Sequence, residues 1–360
     1  MRPPPHEAAK RSIVIGDPQA SLDTFLGVLA HHKLLDASGW LHPSVSLTSV
    51  GDHFDWGKPH QRDAAAADGL ALLSWLAAHD AEQVTLIAGN HDLGRVGELA
   101  SFDEGQFLAA HQQAVLAYRL GDPDLELEAT FLADYPELPS AELAARDFAA
   151  FTVAQRDLVS ALLLSGRLRL AVAIGKNALV CHAGITNTEL EALEYSGESH
   201  DAHAVADAVN TRLADAVSSW NGSGRLNIES LHTPGDAHVG EGGGMLYHRP
   251  ANHEVTRQPE TYQGPGRRRY DPRTLPLGLT QVIGHISDAK CRSLLGSWVT
   301  GEPGPGSLRH LESDAQEVVY QVGQPPAICG PRHMARLIFV DGGMSRVPLE
   351  KYQILELKTA

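Results

Sequence analysis

Cysteine is scarce in this chain: 360 residues contain only Cys181, Cys291 and Cys329. None stands in a CxxC pair, which argues against a disulfide framework and against a thiolate zinc site and leaves reduced, structural thiols. Long apolar runs are absent as well. No segment reaches the roughly 18 apolar residues of a membrane span, and the start, Met1-Arg-Pro-Pro-Pro-His6, lacks the apolar stretch of a secretory signal. A cytoplasmic location with no membrane partner is the expectation. Basic residues are also in deficit, 29 Lys and Arg against 44 Asp and Glu, for a net charge of −15. Such a balance repels a polyanion, so no nucleic-acid polymer is expected as partner. Internal repeats are missing too. What remains is 43% hydrophobic and 20% charged, the composition of a globular protein with a substantial core. Length alone is compatible with two domains or with one large α/β domain carrying insertions.

The chain repeats one layout, an apolar strand followed by a polar turn. Ser12-Ile-Val-Ile-Gly16 stops at Asp17, Val45-Ser-Leu-Thr-Ser-Val50 ends in Gly51-Asp52, and Val84-Thr-Leu-Ile-Ala88 ends in Gly89-Asn90-His91-Asp92. Helical spacing separates them at 21–35 and 64–79, which predicts a largely parallel sheet with helices packed on it. In such sheets ligands bind beyond the carboxyl ends of the strands, where all three polar clusters fall. Residues 98–165 read as a helical cap inserted between catalytic strands, with turn breaks at Gly121-Asp-Pro and 136–139. Residues 168–174 and 178–182 read as two strands around Gly175-Lys-Asn177, delivering His182. A helical stretch over 188–220 precedes an irregular, Gly/His/Pro/Arg-rich region at 221–276, expected near the site. Residues 279–284 form a strand delivering His285, and 337–341 with 352–357 close the fold.

Singly, these residues mean little. An Asp after a strand is usually a turn residue, and a strand-end His is usually structural. Together, Asp17, Asp52, Asn90, His182 and His285 are oxygen and nitrogen donors suited to Mn, Fe or Zn, with Asp52 the natural carboxylate to bridge two cations. Most of the 19 histidines, among them His31, His32, His60 and His79, fit no such pattern. His53 could serve behind the site as a supporting donor. His232, His238, His248 and His253 have no spacing that assigns them.

In order and in strand context these segments resemble the calcineurin-like metallophosphoesterases, and within them the phosphoprotein-phosphatase-like branch. Gly16-Asp17-Pro-Gln19 is similar to Gly-Asp-x-His, and Gly51-Asp52-His-Phe-Asp55-Trp-Gly57 to Gly-Asp-x-x-Asp-Arg-Gly. Gly89-Asn90-His91-Asp92, Cys181-His182-Ala-Gly184 and Gly284-His285-Ile complete the series. The resemblance implies a single domain over 1–360, an α/β (α+β) sandwich in which central β-sheets are flanked by helices as four layers. It further implies two divalent or trivalent ions, Mn, Fe or Zn. Asp17, Gln19 and Asp52 would hold the first; Asp52, Asn90, His182 and His285 would hold the second. A metal-bound hydroxide would attack the phosphoryl group, with His91, paired to Asp55, as general acid.

Two positions depart from the pattern. Gln19 stands where a histidine ligand is usual, so the first ion is expected to be loosely held, exchangeable or differently chosen. Trp56 replaces the usual phosphate-clamping arginine. Arg249, in Gly244-Met-Leu-Tyr-His-Arg249, is the first substitute, Arg95 the second, and the Arg267-Arg268-Arg269 run the third. The expected activity is that of a phosphomonoesterase acting on a phosphorylated protein or small molecule. Nucleotide or dinucleoside-polyphosphate hydrolysis is the alternative within the same chemistry, and a degenerate phospho-ligand binder is the alternative outside it.

Overall fold

A computed structural model describes residues 11–119, 122–256, 268–325, 328 and 331–357. The Pro-rich start, Gly121, Arg267 and Cys329 lie outside the described residues. Two sheets form the centre. The first runs in the order β11-β1-β2-β3-β4, where β1 is Arg11–Ile15, β2 Val45–Ser49, β3 Val84–Ile87, β4 Leu168–Arg169 and β11 Leu355–Leu357. All its pairings are parallel except that of β1 with β11. The second runs β9-β8-β10-β7-β6-β5, with β5 Ala171–Gly175, β6 Ala178–Cys181, β7 Thr280–Ile283, β8 Arg309–Ser313, β9 Val318–Val322 and β10 Ala335–Phe339. Here β6, β7 and β10 are parallel and the outer strands antiparallel.

Alternation along the strands explains why the sheets stack. Val14 and Ile87 of one sheet meet Val180, Val282 and Ile338 of the other in a small inner core. Their neighbours Ile13, Ile15, Leu86, Leu179, Ile283, Leu337 and Phe339 belong to the large cluster that includes the helices. Helices α1 (Leu22–His31), α2 (Arg62–Ala77) and α6 (Val153–Leu164) contribute Phe25, Val28, Leu72, Leu76, Val159 and Leu162 to that cluster; α8 (Ala202–Trp220) contributes Val205, Val209 and Leu213. The fold is therefore an α/β sandwich, both sheets carrying helices. No helix among the described residues is long and apolar enough to cross a membrane.

Four segments differ from the reading of the sequence. The apolar stretch 168–174 is two strands in different sheets: the chain crosses over at buried Leu170, where Asn210 Oδ1 accepts from the amide N–H groups of Leu170 and Ala171. The helical stretch 188–220 is interrupted, α7 spanning Asn187–Ala192 before α8 begins behind its Asp201 cap. The antiparallel pair β8 and β9 was not anticipated, and the final strand is confined to Leu355–Leu357. Within 98–165, α4 (Glu104–Ala117) and α5 (Leu125–Asp134) share a second core with Phe102, Phe107, Phe131, Phe148 and Phe151, whereas α6 packs on α2 and the sheet.

Candidate metal and phosphate site

Asp17, Asp52 and Asn90 follow β1, β2 and β3, while His182 and His285 follow β6 and β7, so the carboxyl ends of both sheets converge on one place. One ligand atom each from Asp52, His182 and His285 lie within 4.8 Å of one another. Asn90 Oδ1 is 3.1 Å from His182 Nε2, which adds a fourth donor. His182 directs Nδ1 at the carbonyl of Val50, 2.8 Å away, and that bond leaves Nε2 for the cluster. His285 likewise points Nε2 at the carbonyl of Tyr247, 3.0 Å away, within the irregular 221–276 region. Tyr247 is itself anchored, its hydroxyl donating to Glu98 at 2.7 Å. Burial, with Arg249 and His182 nearby, pushes the His285 pKa well below its ordinary value and keeps the imidazole neutral, as a metal ligand must be.

Asp17 closes the other side. Its Oδ2 accepts from the His285 amide at 2.7 Å, while buried Oδ1 has no hydrogen-bond partner. Burial first, then the neighbouring carboxylates of Asp341 and Asp52, push its pKa well up. A Cβ at residue 284 would collide with Asp17 Oδ1, so glycine there is what lets the carboxylate sit against the turn. The orphaned Oδ1, the neutral imidazole of His285 and the neighbouring carboxylates fit cations as the missing partners. Gln19 and Asp17 both line a cleft of about 840 Å³.

His91 and Asp55 stand beside this cluster. His91 Nδ1 is 2.8 Å from Asp55 Oδ2, and its Nε2 lies 3.8 Å from Asp52 Oδ2. Burial opposes the imidazolium, but Asp52 and Asp55 outweigh it and raise the His91 pKa to about 10. For Asp55, burial is likewise outweighed, by Arg95 and His91, which hold the carboxyl below its ordinary value. Asp52, Asp55 and His285 are three of the eight described non-glycine residues with positive φ. Backbone held in this region persists only where its surroundings over-determine it, and it gathers at functional sites.

Arg95 does not face the cleft, contrary to its assignment as a phosphate ligand. Its guanidinium is fully buried, grips Asp55 at 2.6 and 2.9 Å, donates to Gln155 Oε1 and to the His91 carbonyl, and lies over the Phe54 ring. Arginine after the Asn-His-Asp turn is thus a support for Asp55. Arg95→Met is expected to cost about 3–5 kcal/mol of stability, since it strands a buried carboxylate; an unchanged urea midpoint would show that Asp55 does not need it. Arg249 is also absent from the cleft wall, with Nη1 3.2 Å from Glu241, though its charge reaches His285. Arg268 donates to the Val239 carbonyl.

Other cations do line the wall, Lys58, Arg62, Arg146 and Arg346, together with the carboxylates of Asp17, Asp55, Asp147 and Asp341 and the rings of Trp56 and Tyr118. Arg146 and Asp147 come from the segment 98–165, and the charge of His91 acts on half-buried Asp147. His53 is buried between Ser49 Oγ at 2.9 Å and Asp92 Oδ1 at 3.0 Å. Asp92 in turn accepts from the amides of Asp52 and Gly89, and so fixes two of the site's turns. None of His232, His238, His248 or His253 lines the cleft. His232 stacks on Tyr247, and His248 Nε2 is 2.8 Å from the Gly184 carbonyl. Cys181 and Cys291 are buried free thiols, each pushed up to about 12 by burial. Asp341 was overlooked in the sequence, although it ends an apolar strand just as Asp17 and Asp52 do; it lines the cleft with Asp17 and Gln19.

No family model and no curated protein matches this chain. Similar solved structures include a cold-active protein-tyrosine phosphatase of a psychrophilic Shewanella species, at 14% identity and TM-score 0.38, covering 94% of this chain and 72% of that one. A mutant of a cold-active protein tyrosine phosphatase gives 15% identity and TM-score 0.39 with the same coverage of both chains. Likeness at that level leaves the assignment to the geometry of the site.

Proposed function

We propose that this chain is a metal-dependent phosphomonoesterase. The observation that carries the reading is the meeting of Asp52, His182 and His285 within 4.8 Å, directly beside a histidine paired to a buried carboxylate. Asp52, Asn90, His182 and His285 would hold one ion, and Asp17, Gln19 and Asp52 another, Mn, Fe or Zn being compatible with these donors. Such ions, when bound, activate water near neutral pH and offset the charge of a phosphoryl group. Asp55 holds His91 through Nδ1, leaving Nε2 to hand a proton to the departing oxygen. Arg249 near His285 and the four cations of the wall are the candidates to receive the phosphate.

A second reading within the same chemistry draws on the cleft itself. About 840 Å³ with two aromatic rings and four cations is roomier than one phosphorylated side chain requires, and it suits a nucleotide or a dinucleoside polyphosphate. The intact His91–Asp55 pair argues for catalysis over phospho-ligand binding, which needs no proton donor.

The test is a panel of p-nitrophenyl phosphate, a phosphopeptide and a dinucleoside tetraphosphate, with Mn²⁺, Fe²⁺, Zn²⁺ and Mg²⁺ each supplied. Metal-dependent release of phosphate from the aryl ester is expected. Silence with every metal would favour the binder, and turnover of the dinucleoside alone would favour the second reading.

A further inference from the structure

The imidazole of His285 is turned by a side chain that lies outside the cleft and outside the set of donors. We propose that Glu98 is a positioning residue: by holding Tyr247 it fixes which nitrogen of His285 faces the second metal position. This rests on the metal-dependent reading above.

Among the described residues the ring of His285 makes one hydrogen bond, between Nε2 and the Tyr247 carbonyl at 3.0 Å. A carbonyl only accepts, so Nε2 carries the proton and Nδ1 the lone pair. This is the tautomer in which Nδ1 serves the cluster, the reverse of His182, where Nδ1 is engaged and Nε2 is left. The two rings meet edge-on with centroids 5.0 Å apart. Were the carbonyl displaced, the His285 ring could rotate or carry its proton on the other nitrogen, and a donor would be lost.

Tyr247 belongs to a region with little regular structure, so the place of its carbonyl comes from anchors. The amides of Tyr247 and His248 both donate to the Gly244 carbonyl, at 3.0 and 2.9 Å, which forms a tight turn. The region is docked on the segment that follows α3 (Asn90–Gly94). There the Leu226 amide donates to the Val96 carbonyl at 2.8 Å. Glu98 Oε1 accepts twice, from the Gly235 amide at 2.8 Å and from the Tyr247 hydroxyl at 2.7 Å. Stacking on His232, with 17° between the planes, sets the plane of the Tyr247 ring. Hydroxyl and carbonyl of one residue thus join Glu98 to His285. Because Asn90 opens the segment that Glu98 ends, two donors to one ion take their spacing from it.

Glu98 is ill suited to packing alone. It is 1% exposed, and its Oε2 has no hydrogen-bond partner. Burying a carboxylate with one oxygen unsatisfied costs stability, and an apolar residue would fill the space without that cost. What an apolar residue could not supply is the acceptor that holds Gly235 and Tyr247 together. The role therefore needs an oxygen at this place rather than a charge.

The test reads the imidazole and the ion rather than turnover. Long-range proton–nitrogen NMR correlation on metal-free protein gives the tautomer of His285, its signals assigned by their loss in His285→Gln. The unaltered chain is expected to carry the proton on Nε2. Tyr247→Phe keeps the ring and the backbone carbonyl and removes the bond to Glu98. It is expected to show mixed tautomers and to weaken Zn²⁺, read by competition with a chromophoric chelator, by about tenfold or more. Glu98→Leu is expected to do the same, whereas Glu98→Gln, which keeps the accepting oxygen, is expected to hold both readings near those of the unaltered chain. A merely structural Glu98 would lower the melting temperature of Glu98→Leu and Tyr247→Phe and move neither reading. An unchanged tautomer or an unchanged Zn²⁺ affinity in Tyr247→Phe would therefore overturn the proposal and leave the phosphoesterase reading standing. Should Glu98→Leu fail to fold, Tyr247→Phe set against Glu98→Gln decides. No Zn²⁺ bound by the unaltered chain would overturn both.

Discussion

Asp52→Asn is expected to remove turnover and to strip the protein of tightly held metal in the same step. Asp52 is the carboxylate that faces both sides of the cluster: Oδ1 lies 3.5 Å from His182 Nε2, and Oδ2 lies 3.8 Å from His91 Nε2. The amide is nearly isosteric, so the fold is preserved and the loss isolates charge. A neutral amide bridges two cations poorly, and losing a bridging ligand should lower the rate by about 10³-fold or more, on the scale of the several kcal/mol a metal supplies in such sites. Metal analysis of protein purified without chelator checks it. Full metal content in an inactive Asp52→Asn would show that this carboxylate acts on substrate or on His91 instead.

His91→Ala is expected to keep its metal while losing about 10²–10⁴-fold in kcat, the usual range for a general acid. The imidazole is not placed among the ligands; its Nδ1 is committed to Asp55. The loss should shrink for aryl phosphates, whose departing phenolate scarcely needs a proton, and grow for alkyl esters. The pH profile carries the sign. With a pKa raised to about 10, the donor is protonated below that value and lost as pH rises through it. A cation on Asp52 cancels the part of the shift due to that carboxylate, so the alkaline limb of kcat should fall below 10 in the metal-loaded enzyme. It should vanish in His91→Ala. An unchanged limb in that variant would assign it to another group, and equal metal loss in the two variants would erase the distinction between their roles.

The strands that position the candidate ligands were legible because each ends an apolar run at a polar residue, preceded by glycine in every case but His182, and hydrophobic runs bounded by turns are what sequence displays most clearly. Their spacing with helices predicted a parallel sheet with helices packed on it, and the sandwich came with the family resemblance. Burial and partnership were not legible. Arg95 reads as a cation next to a catalytic turn, and nothing local reveals that Asp55 from another loop and Gln155 from α6 occupy its donors. His53 was harder still, since its role depends on Asp92, 39 residues away. The pair β8 and β9 hides because Arg309 and His310 look polar in sequence yet are buried, so the expected alternation is masked. Asp341 was readable in principle: Leu337-Ile-Phe-Val-Asp341 repeats the pattern of the first two strands.

The helices of 98–165 are fastened at their root to His91, the proposed proton donor. The Ala150 amide donates to Asp55 Oδ1 at 3.1 Å, the Phe148 ring meets that of His91 edge-on at 6.3 Å, and Gln155 accepts from Arg95. If the whole segment were to swing outward, it would take with it the grip on Asp55, and His91 would lose the anion that keeps it charged. In the proposed enzyme, admission of a bulky ester would then have to pivot beyond that root, in the outer helices α4 and α5, or else doorway and chemistry would be interlocked: ajar would mean idle.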